Sequence, residues 1–208
     1  LALQRLFFDP LRGEFPLRGS WLLSEVLHPG ARRVSVALGL AALALALVAT
    51  RGRLSWLPKR NAWVAIAGMV LIPLGISVLK AVTNRHCPWD VVDFGGYAPY
   101  VGLLELPPAG LKRGACFPAG HASAGFVWVI WAVALRPRSR RLAQWVLLGG
   151  LLLGALLGGV QMLRGAHFLS HTLWSAWFAW AVSVALAALF GAESGGSARL
   201  GSARRARR

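Results

Sequence analysis

The chain has 208 residues, of which 56% are hydrophobic and only 14% are charged, and its net charge is +16. Ordinary soluble domains carry roughly 25% charged residues, so this composition excludes a typical soluble protein and indicates one membrane-embedded domain. The arginines lie at the ends of apolar stretches without a nucleic-acid-binding motif. They therefore favour contact with anionic lipid headgroups and argue against nucleic acid as a partner.

Residues 1–33 contain no stretch long enough to span a membrane and no signal-peptide pattern. We expect them to form an outer-surface segment, with an amphipathic piece at residues 21–27 lying on the membrane. Five apolar stretches of about the length of a spanning helix follow: 34–50, 62–82, 121–135, 142–163 and 168–190. The sequence therefore predicts an all-α, polytopic membrane bundle over residues 34–190, followed by a basic tail at 191–208.

The basic residues predict the orientation of this bundle. They cluster in the loop between the first two helices, in the loop between the third and fourth, and in the tail. These segments lie on one side if all five helices span the membrane, and basic loops mark the cytoplasm. The N-terminal segment and the loop 83–120 would then be outside, and a sixth helix would precede Leu1 if the full protein starts in the cytoplasm.

The loop 83–120 is long for a compact bundle, which is typical of a functional segment. Its two cysteines, Cys87 and Cys116, are the only ones in the chain. In an oxidising compartment they would form a disulfide, and closing about 30 residues would stabilise the fold by roughly 3–4 kcal/mol. Two metal-binding thiolates are the alternative interpretation.

Polar residues stand at three of the predicted outer helix ends. His121 lies in the first turn of a helix, where unpaired backbone N–H groups and the positive end of the helix dipole favour an anion. Lys80 ends the second helix, and His167 and His171 begin the fifth. A lysine at a helix end usually only reaches for the headgroup layer. With the histidines in the same layer, we predict that all three ends converge on one phosphate.

These residues resemble the membrane branch of the type 2 phosphatidic acid phosphatase superfamily, over roughly residues 60–190. Its motifs are Lys-x6-Arg-Pro, Pro-Ser-Gly-His and Ser-Arg-x5-His-x3-Asp. The matching positions are Lys80, Pro88, Pro118, Gly120, His121 and His167. The departures are Cys87 and Gln161 where the family has arginine, Ala119 where it has serine, and His171 where it has aspartate.

The resemblance implies roles for the histidines. His167 would be the nucleophile that forms a phosphohistidine. His121 would protonate the leaving alkoxide and then activate water. His171 would accept a hydrogen bond from His167 but would lack the negative charge of a carboxylate.

The resemblance also implies a set of phosphate-binding groups. These are Lys80, Arg164 and Arg85, together with the backbone around Ala119 and Gly120. Ala119 keeps its N–H but lacks the hydroxyl of serine, and the loss of one such donor typically costs about 10²–10³ in rate.

The expected function is therefore a metal-independent lipid phosphatase or phosphotransferase of the bacterial inner membrane, with its active site facing the periplasm. It would cleave a lipid phosphate monoester or diphosphate without a cofactor, and its partners would be this substrate and membrane lipids; no oligomeric state is predicted. Two alternatives stay open. One is a metal-dependent hydrolase that uses the His-x3-His pair as ligands. The other is a catalytically silent relative that binds a lipid or a partner protein, which the four departures favour.

Overall fold

The computed structural model describes residues 1–23 and 28–190. Within them, α-helices make up most of the structure and no β-strand is formed. The α-helices are α1 (Ala2–Arg5), α2 (His28–Thr50), α3 (Lys59–Thr83), α4 (Gly120–Phe126), α5 (Val129–Leu135), α6 (Arg140–Leu163) and α7 (Leu169–Leu189). Two 3-10 turns, Pro88–Asp90 and Val92–Phe94, lie in the loop between α3 and α4.

Four of the described helices, α2, α3, α6 and α7, are long and apolar enough to cross a membrane. The prediction of an all-α polytopic membrane bundle is thereby confirmed. The predicted boundary between residues 33 and 34 falls inside α2, because a proline is tolerated in the first turn of a helix and Pro29 does not stop α2 from starting at His28. Residues 24–27 of the expected amphipathic piece, and the expected tail 191–208, lie outside the described residues.

The third predicted spanning helix is not one continuous helix. Residues 121–135 divide between α4 and α5, and the whole apolar stretch Gly120–Leu135 is shorter than the other four. At the break, the N–H of Trp128 donates to the carbonyl of Gly125, and the N–H of Ile130 donates to that of Val127. These bonds reach back three residues, as in a 3-10 turn. The expected five spanning helices are thus four long helices and one short, broken pair.

Glycines allow α4 to lie directly against α6. A Cβ atom on Gly125 would collide with the backbone of Gly154, and a Cβ atom on Gly154 would collide with the ring of Phe126. Gly158 approaches Thr172 of α7 in the same way. Small residues at helix contacts let backbones approach closely inside a membrane, so these glycines set the spacing between α4, α6 and α7.

The N-terminal segment packs onto the loop that joins α6 to α7. The buried ring of Phe15 lies 5.5 Å from the ring of Phe94, which lies 6.3 Å from that of Phe168. Phe15 also lies against Gly165, whose φ of +73° and lack of space for a Cβ atom suit glycine alone. Residues 1–23 therefore support the segment that precedes α7, whereas the sequence predicted only a surface segment.

Charges are segregated between the two ends of the bundle. One end, the loop end, carries residues 1–23 and the α3–α4 and α6–α7 loops; the other, the basic end, carries the α2–α3 and α5–α6 loops. All acidic residues of the described part lie at the loop end: Asp9, Glu14, Asp90, Asp93 and Glu105. The α2–α3 and α5–α6 loops and the adjoining helix ends carry only basic charges.

Candidate active site

The ends of α3 and α4 bring a lysine to the start of a helix. Lys80 lies in the last turn of α3, and its Nζ is 3.6 Å from the position that a Cβ atom of Gly120 would occupy. Because Gly120 has no side chain, the ammonium group lies directly beside the first turn of α4. The next residue in that turn is His121. The ammonium group of Lys80 and the residue His121 therefore both lie at the start of α4.

The start of α4 is fastened to the start of α7 by backbone and side-chain hydrogen bonds. The N–H of Ala119 donates to the carbonyl of His171 over 3.2 Å. The buried hydroxyl of Ser175 lies 3.0 Å from the carbonyl oxygens of both Ala119 and His171 and shares its one proton between them. The prediction for Ala119 needs correction: its N–H connects two helices and is not available to a phosphate.

Ser175 is a site residue that the sequence reasoning missed. It is fully buried and one helical turn beyond His171. The sequence did contain a signal for it. Ser175 is a hydroxyl residue in an apolar helix, four residues after His171, and residues four apart lie on the same face of a helix.

The two histidines of the α6–α7 segment are buried and face each other. Nδ1 of His167 lies 3.4 Å from Nδ1 of His171. The rings of Phe117 and Phe168 meet His171 edge to face, each with its centroid 5.3 Å from the imidazole. This aromatic packing limits the rotation of His171, so its nitrogen stays directed at His167.

The surroundings of His167 favour its neutral form. Burial lowers the pKa of His167 well below its ordinary value of 6.5, and the nearby positive charges of His171, Lys80 and His121 lower it further. A hydrogen bond to the backbone of Cys116 opposes part of this shift. His171, Lys80 and His121 are therefore close enough to His167 to act on its charge. His167 is consequently a neutral imidazole at physiological pH.

The two predicted phosphate-binding arginines differ in their surroundings. Arg85 is buried in the loop, where its Nη2 donates to the carbonyls of Leu103 and Glu105 over 2.8 and 2.6 Å. These bonds tie Nη2 of Arg85 to the loop, and Arg85 also lines a cavity that reaches His171. Its role as a phosphate ligand stays a prediction. Arg164 is the buried C-cap of α6, and its Nη1 donates to Oε1 of Gln161 over 3.3 Å. Gln161, one of the departures from the family motif, thus orients Arg164.

The two ends of the α3–α4 loop are linked covalently. Cys87 and Cys116 form a disulfide, with their Cα atoms 5.2 Å apart. Beside it, the N–H of Cys116 donates to the carbonyl of Arg85 over 2.9 Å. The disulfide holds the segment after Lys80 against the segment before His121.

The disulfide also bears on the metal-dependent alternative. Within the described part of the chain, the only group of three candidate ligands close enough to share an ion is Cys87, Asp90 and Cys116. Its two cysteines are oxidised to the disulfide and offer no thiolate. His86, the histidine nearest to this group along the chain, has its Nε2 2.9 Å from the carbonyl of Lys112.

Two cavities adjoin the candidate site residues. One, of about 210 Å³, is bounded by Lys80, Gly120 and His121 together with side chains of α2 and α6. The other, of about 130 Å³, lies between the α3–α4 loop and α7 and reaches His171 and Phe117. One cavity therefore reaches the candidate site from the side of α2, and the other reaches it from the side of the α3–α4 loop.

Comparison with known proteins gave one finding. A family model described as the PAP2 superfamily matches residues 61–194, which is more than half of the chain. The matched span contains Lys80, His121, His167 and His171, and it begins after α2. Neither curated proteins nor solved structures gave a match.

Proposed function

The chain belongs to the PAP2 superfamily, and we propose from this premise that it cleaves a lipid phosphate monoester or diphosphate through a phosphohistidine. Membership in the family implies phosphatase activity on phosphate esters, often those of lipids. The observation that carries the finer proposal is the buried His167–His171 pair among the charges of Lys80 and His121. The phosphoryl group then passes to water or to the hydroxyl of another lipid.

The nucleophile in this proposal is Nε2 of His167. We assign the proton of this imidazole to Nδ1, from which it is donated to Nδ1 of His171 over 3.4 Å. This assignment leaves a lone pair on Nε2, which attacks phosphorus while the bond from phosphorus to the leaving oxygen breaks. His167 then carries a positive charge, which a neutral His171 stabilises through the hydrogen bond alone.

The remaining groups act on the phosphoryl oxygens and on the proton. His121 protonates the leaving alkoxide and afterwards takes a proton from the water, or from the lipid hydroxyl, that attacks the phosphohistidine. Lys80 and Arg164 neutralise the charge of the equatorial oxygens. Gly120 assists because the first N–H groups of a helix have no partner within it and because it leaves room for the Lys80 ammonium.

We place this reaction on the periplasmic face of a bacterial inner membrane. The basic end of the bundle suits the cytoplasm, so the loop end would face the opposite side. The Cys87–Cys116 disulfide at the loop end supports this orientation, because disulfides persist in oxidising compartments such as the periplasm.

The proposal is tested with purified protein and a panel of lipid phosphates, assayed with and without EDTA, followed by alkaline quenching to trap phosphate on histidine. We expect turnover that survives EDTA, a trapped phosphohistidine, and a loss of roughly 10⁴-fold or more in His167→Ala, the scale seen when a catalytic nucleophile is removed. Thermal unfolding of the variant serves as the control for folding.

Other outcomes identify the competing functions. Turnover that EDTA abolishes would establish the metal-dependent hydrolase. The absence of both turnover and trapped phosphate with every lipid would favour the silent relative. Turnover in a folded His167→Ala variant would remove His167 as the nucleophile.

A further inference from the structure

A groove between α5, α6 and α7 lies at the basic end of the bundle, away from the candidate active site. Its volume is about 430 Å³, within the range of roughly 300–1,000 Å³ that is usual for ligand sites. Arg136 and Arg140 lie at its mouth, at the end of α5 and the start of α6. Its wall is mainly apolar and includes Val129, Ala132, Val133, Leu147, Trp180 and Val184.

The arginines at the mouth have no carboxylate partner in the described part of the chain. Both ion pairs found there, Arg5–Asp93 and Arg12–Asp9, lie at the loop end. The neighbouring Arg138 is placed elsewhere, with its guanidinium 5.5 Å from the ring centre of Trp56. The mouth of the groove therefore presents uncompensated positive charge next to an apolar wall.

The start of α6 adds to this positive charge. The first turn of α6 carries Arg140 and Arg141 and no acidic residue, and the hydroxyl of Ser139 accepts the N–H of Leu142 over 3.2 Å. The N-terminal end of a helix carries a partial positive charge, so cations there are unfavourable and an anion is favourable. An anionic ligand at the mouth would offset both the arginines and the helix dipole.

The position of the groove indicates that the anionic ligand is a lipid. Its walls belong to membrane-spanning helices, and Trp180 and Val184 are exposed on the outside of the bundle, where lipid chains lie. The groove reaches from Arg136 to Val129 on α5, or about 10 Å at the rise of a helix. This depth suits the upper part of an acyl chain whose phosphate stays at the mouth.

We propose that this groove binds one anionic membrane phospholipid, with its phosphate between Arg136 and Arg140 and one acyl chain against Trp180 and Val184. The lipid is bound and not turned over, because His121 and His167 lie at the other end of the bundle. This inference does not depend on the catalytic proposal.

The experiment measures thermal unfolding of the full chain in an uncharged detergent, titrated with dioleoylphosphatidylglycerol or dioleoylphosphatidylcholine. We expect a larger rise in Tm with the anionic lipid. The double variant Arg136→Gln/Arg140→Gln should need about 30-fold more of it for the same rise, given the usual contribution of each arginine to binding an anionic surface. The matched control is Arg51→Gln/Arg53→Gln, which removes two charges from the same end but outside the groove, and it should respond like the unmodified protein.

A second variant tests the acyl chain without changing the charge. Val184→Trp fills the groove from an exposed position that a larger side chain can occupy without unfolding the bundle, and it should also weaken the response. Equal responses to the two lipids, equal losses in the groove and control double variants, or a full response in Val184→Trp would each overturn the proposal. So would an equal rise in Tm with glycerol 3-phosphate, because a headgroup alone would then suffice.

Discussion

A histidine at position 171 changes how the candidate nucleophile is supported. A carboxylate would hold the imidazole of His167 and stabilise its cation through opposite charge. His171 provides a neutral acceptor 3.4 Å from Nδ1 of His167 and, when protonated, a repulsive charge. In the proposed mechanism the pair works only while both imidazoles are neutral, so we expect turnover to depend on pH.

The pH dependence of the reaction follows from the surroundings of His167. Its pKa is lowered, so the neutral nucleophile is present above that lowered value and is lost only as the pH falls through it. The acid limb of kcat/KM that belongs to His167 should therefore lie below pH 6.5. Lys80→Met removes a positive charge that lowers this pKa, so the acid limb should move to higher pH while the rate falls.

Lys112→Met is the matched control for that measurement, because Lys112 is an exposed loop lysine. It should leave the acid limb in place. An acid limb that stays unchanged in Lys80→Met would show that the ammonium of Lys80 does not act on the nucleophile.

Arg164 is predicted to bind the substrate phosphate, whereas Arg113 is not. Arg113 is exposed and donates to the carbonyl of Ala81, while Arg164 is buried and held by Gln161. Arg164→Ala should raise KM by about 10–100-fold, the range expected for a lost hydrogen bond to a charged group. Steady-state kinetics of Arg164→Ala and Arg113→Ala check this, and equal effects would contradict the assignment.

At the scale of the helices, the site depends on the junction of α4 with α7. Ser175→Ala removes the hydroxyl that serves the carbonyls of Ala119 and His171. We expect a loss of about 1 kcal/mol in the free energy of unfolding, the usual contribution of one hydrogen bond, and a drop in kcat because His121 and His171 lose their common support.

Ser183→Ala is the control for that change. Ser183 is equally buried on the same helix, but its hydroxyl donates only to the carbonyl of Ala179 within α7. It should lower stability by a similar or smaller amount and leave kcat unchanged. A drop in kcat of the same size in both variants would mean that the α4–α7 junction has no special effect on the site.

The sequence predicted the helices that are simple apolar runs and missed what depends on contacts between them. The starts of α3, α6 and α7 agree with the predicted runs to within three residues, because uninterrupted hydrophobic length is a local property. The break between α4 and α5 contains no proline, and Gly125 beside it is tolerated in many helices, so the sequence did not predict it. The engagement of the Ala119 N–H depends on α7, which lies some fifty residues further along the chain.

On the scale of the whole molecule, the disulfide links the segments that carry Lys80 and His121. Replacing both Cys87 and Cys116 with serine should lower the free energy of unfolding by roughly 3–4 kcal/mol in the chain-entropy model, because the bond closes a separation of 29 residues. Turnover should fall as the two segments separate. Denaturant unfolding and an activity assay measure the two effects.

A reducing agent provides the control for this prediction. It should lower the stability and turnover of the unmodified protein and leave the double serine variant unchanged. Undiminished turnover in the serine variant would show that the helices alone hold the two segments in register.

The distribution of charge was predictable over the whole chain, but the packing of its first residues was not. Arginines at helix ends are visible in the sequence, and their alternation gives the two ends of the bundle directly. The side-chain amide of Gln4, by contrast, donates to the carbonyl of Met162 across 158 residues. No periodic pattern in the sequence indicates a contact of that kind, so the sequence predicted only a surface segment for these residues.

The packing of Phe15 on Gly165 places part of the support for His167 outside the family match. The family match starts at residue 61, so a protein shortened to the matched span would retain every candidate catalytic side chain. It would also lose the aromatic wall behind the turn that leads to His167. The residues that match the family and the residues that support the turn before His167 therefore cover different parts of this chain.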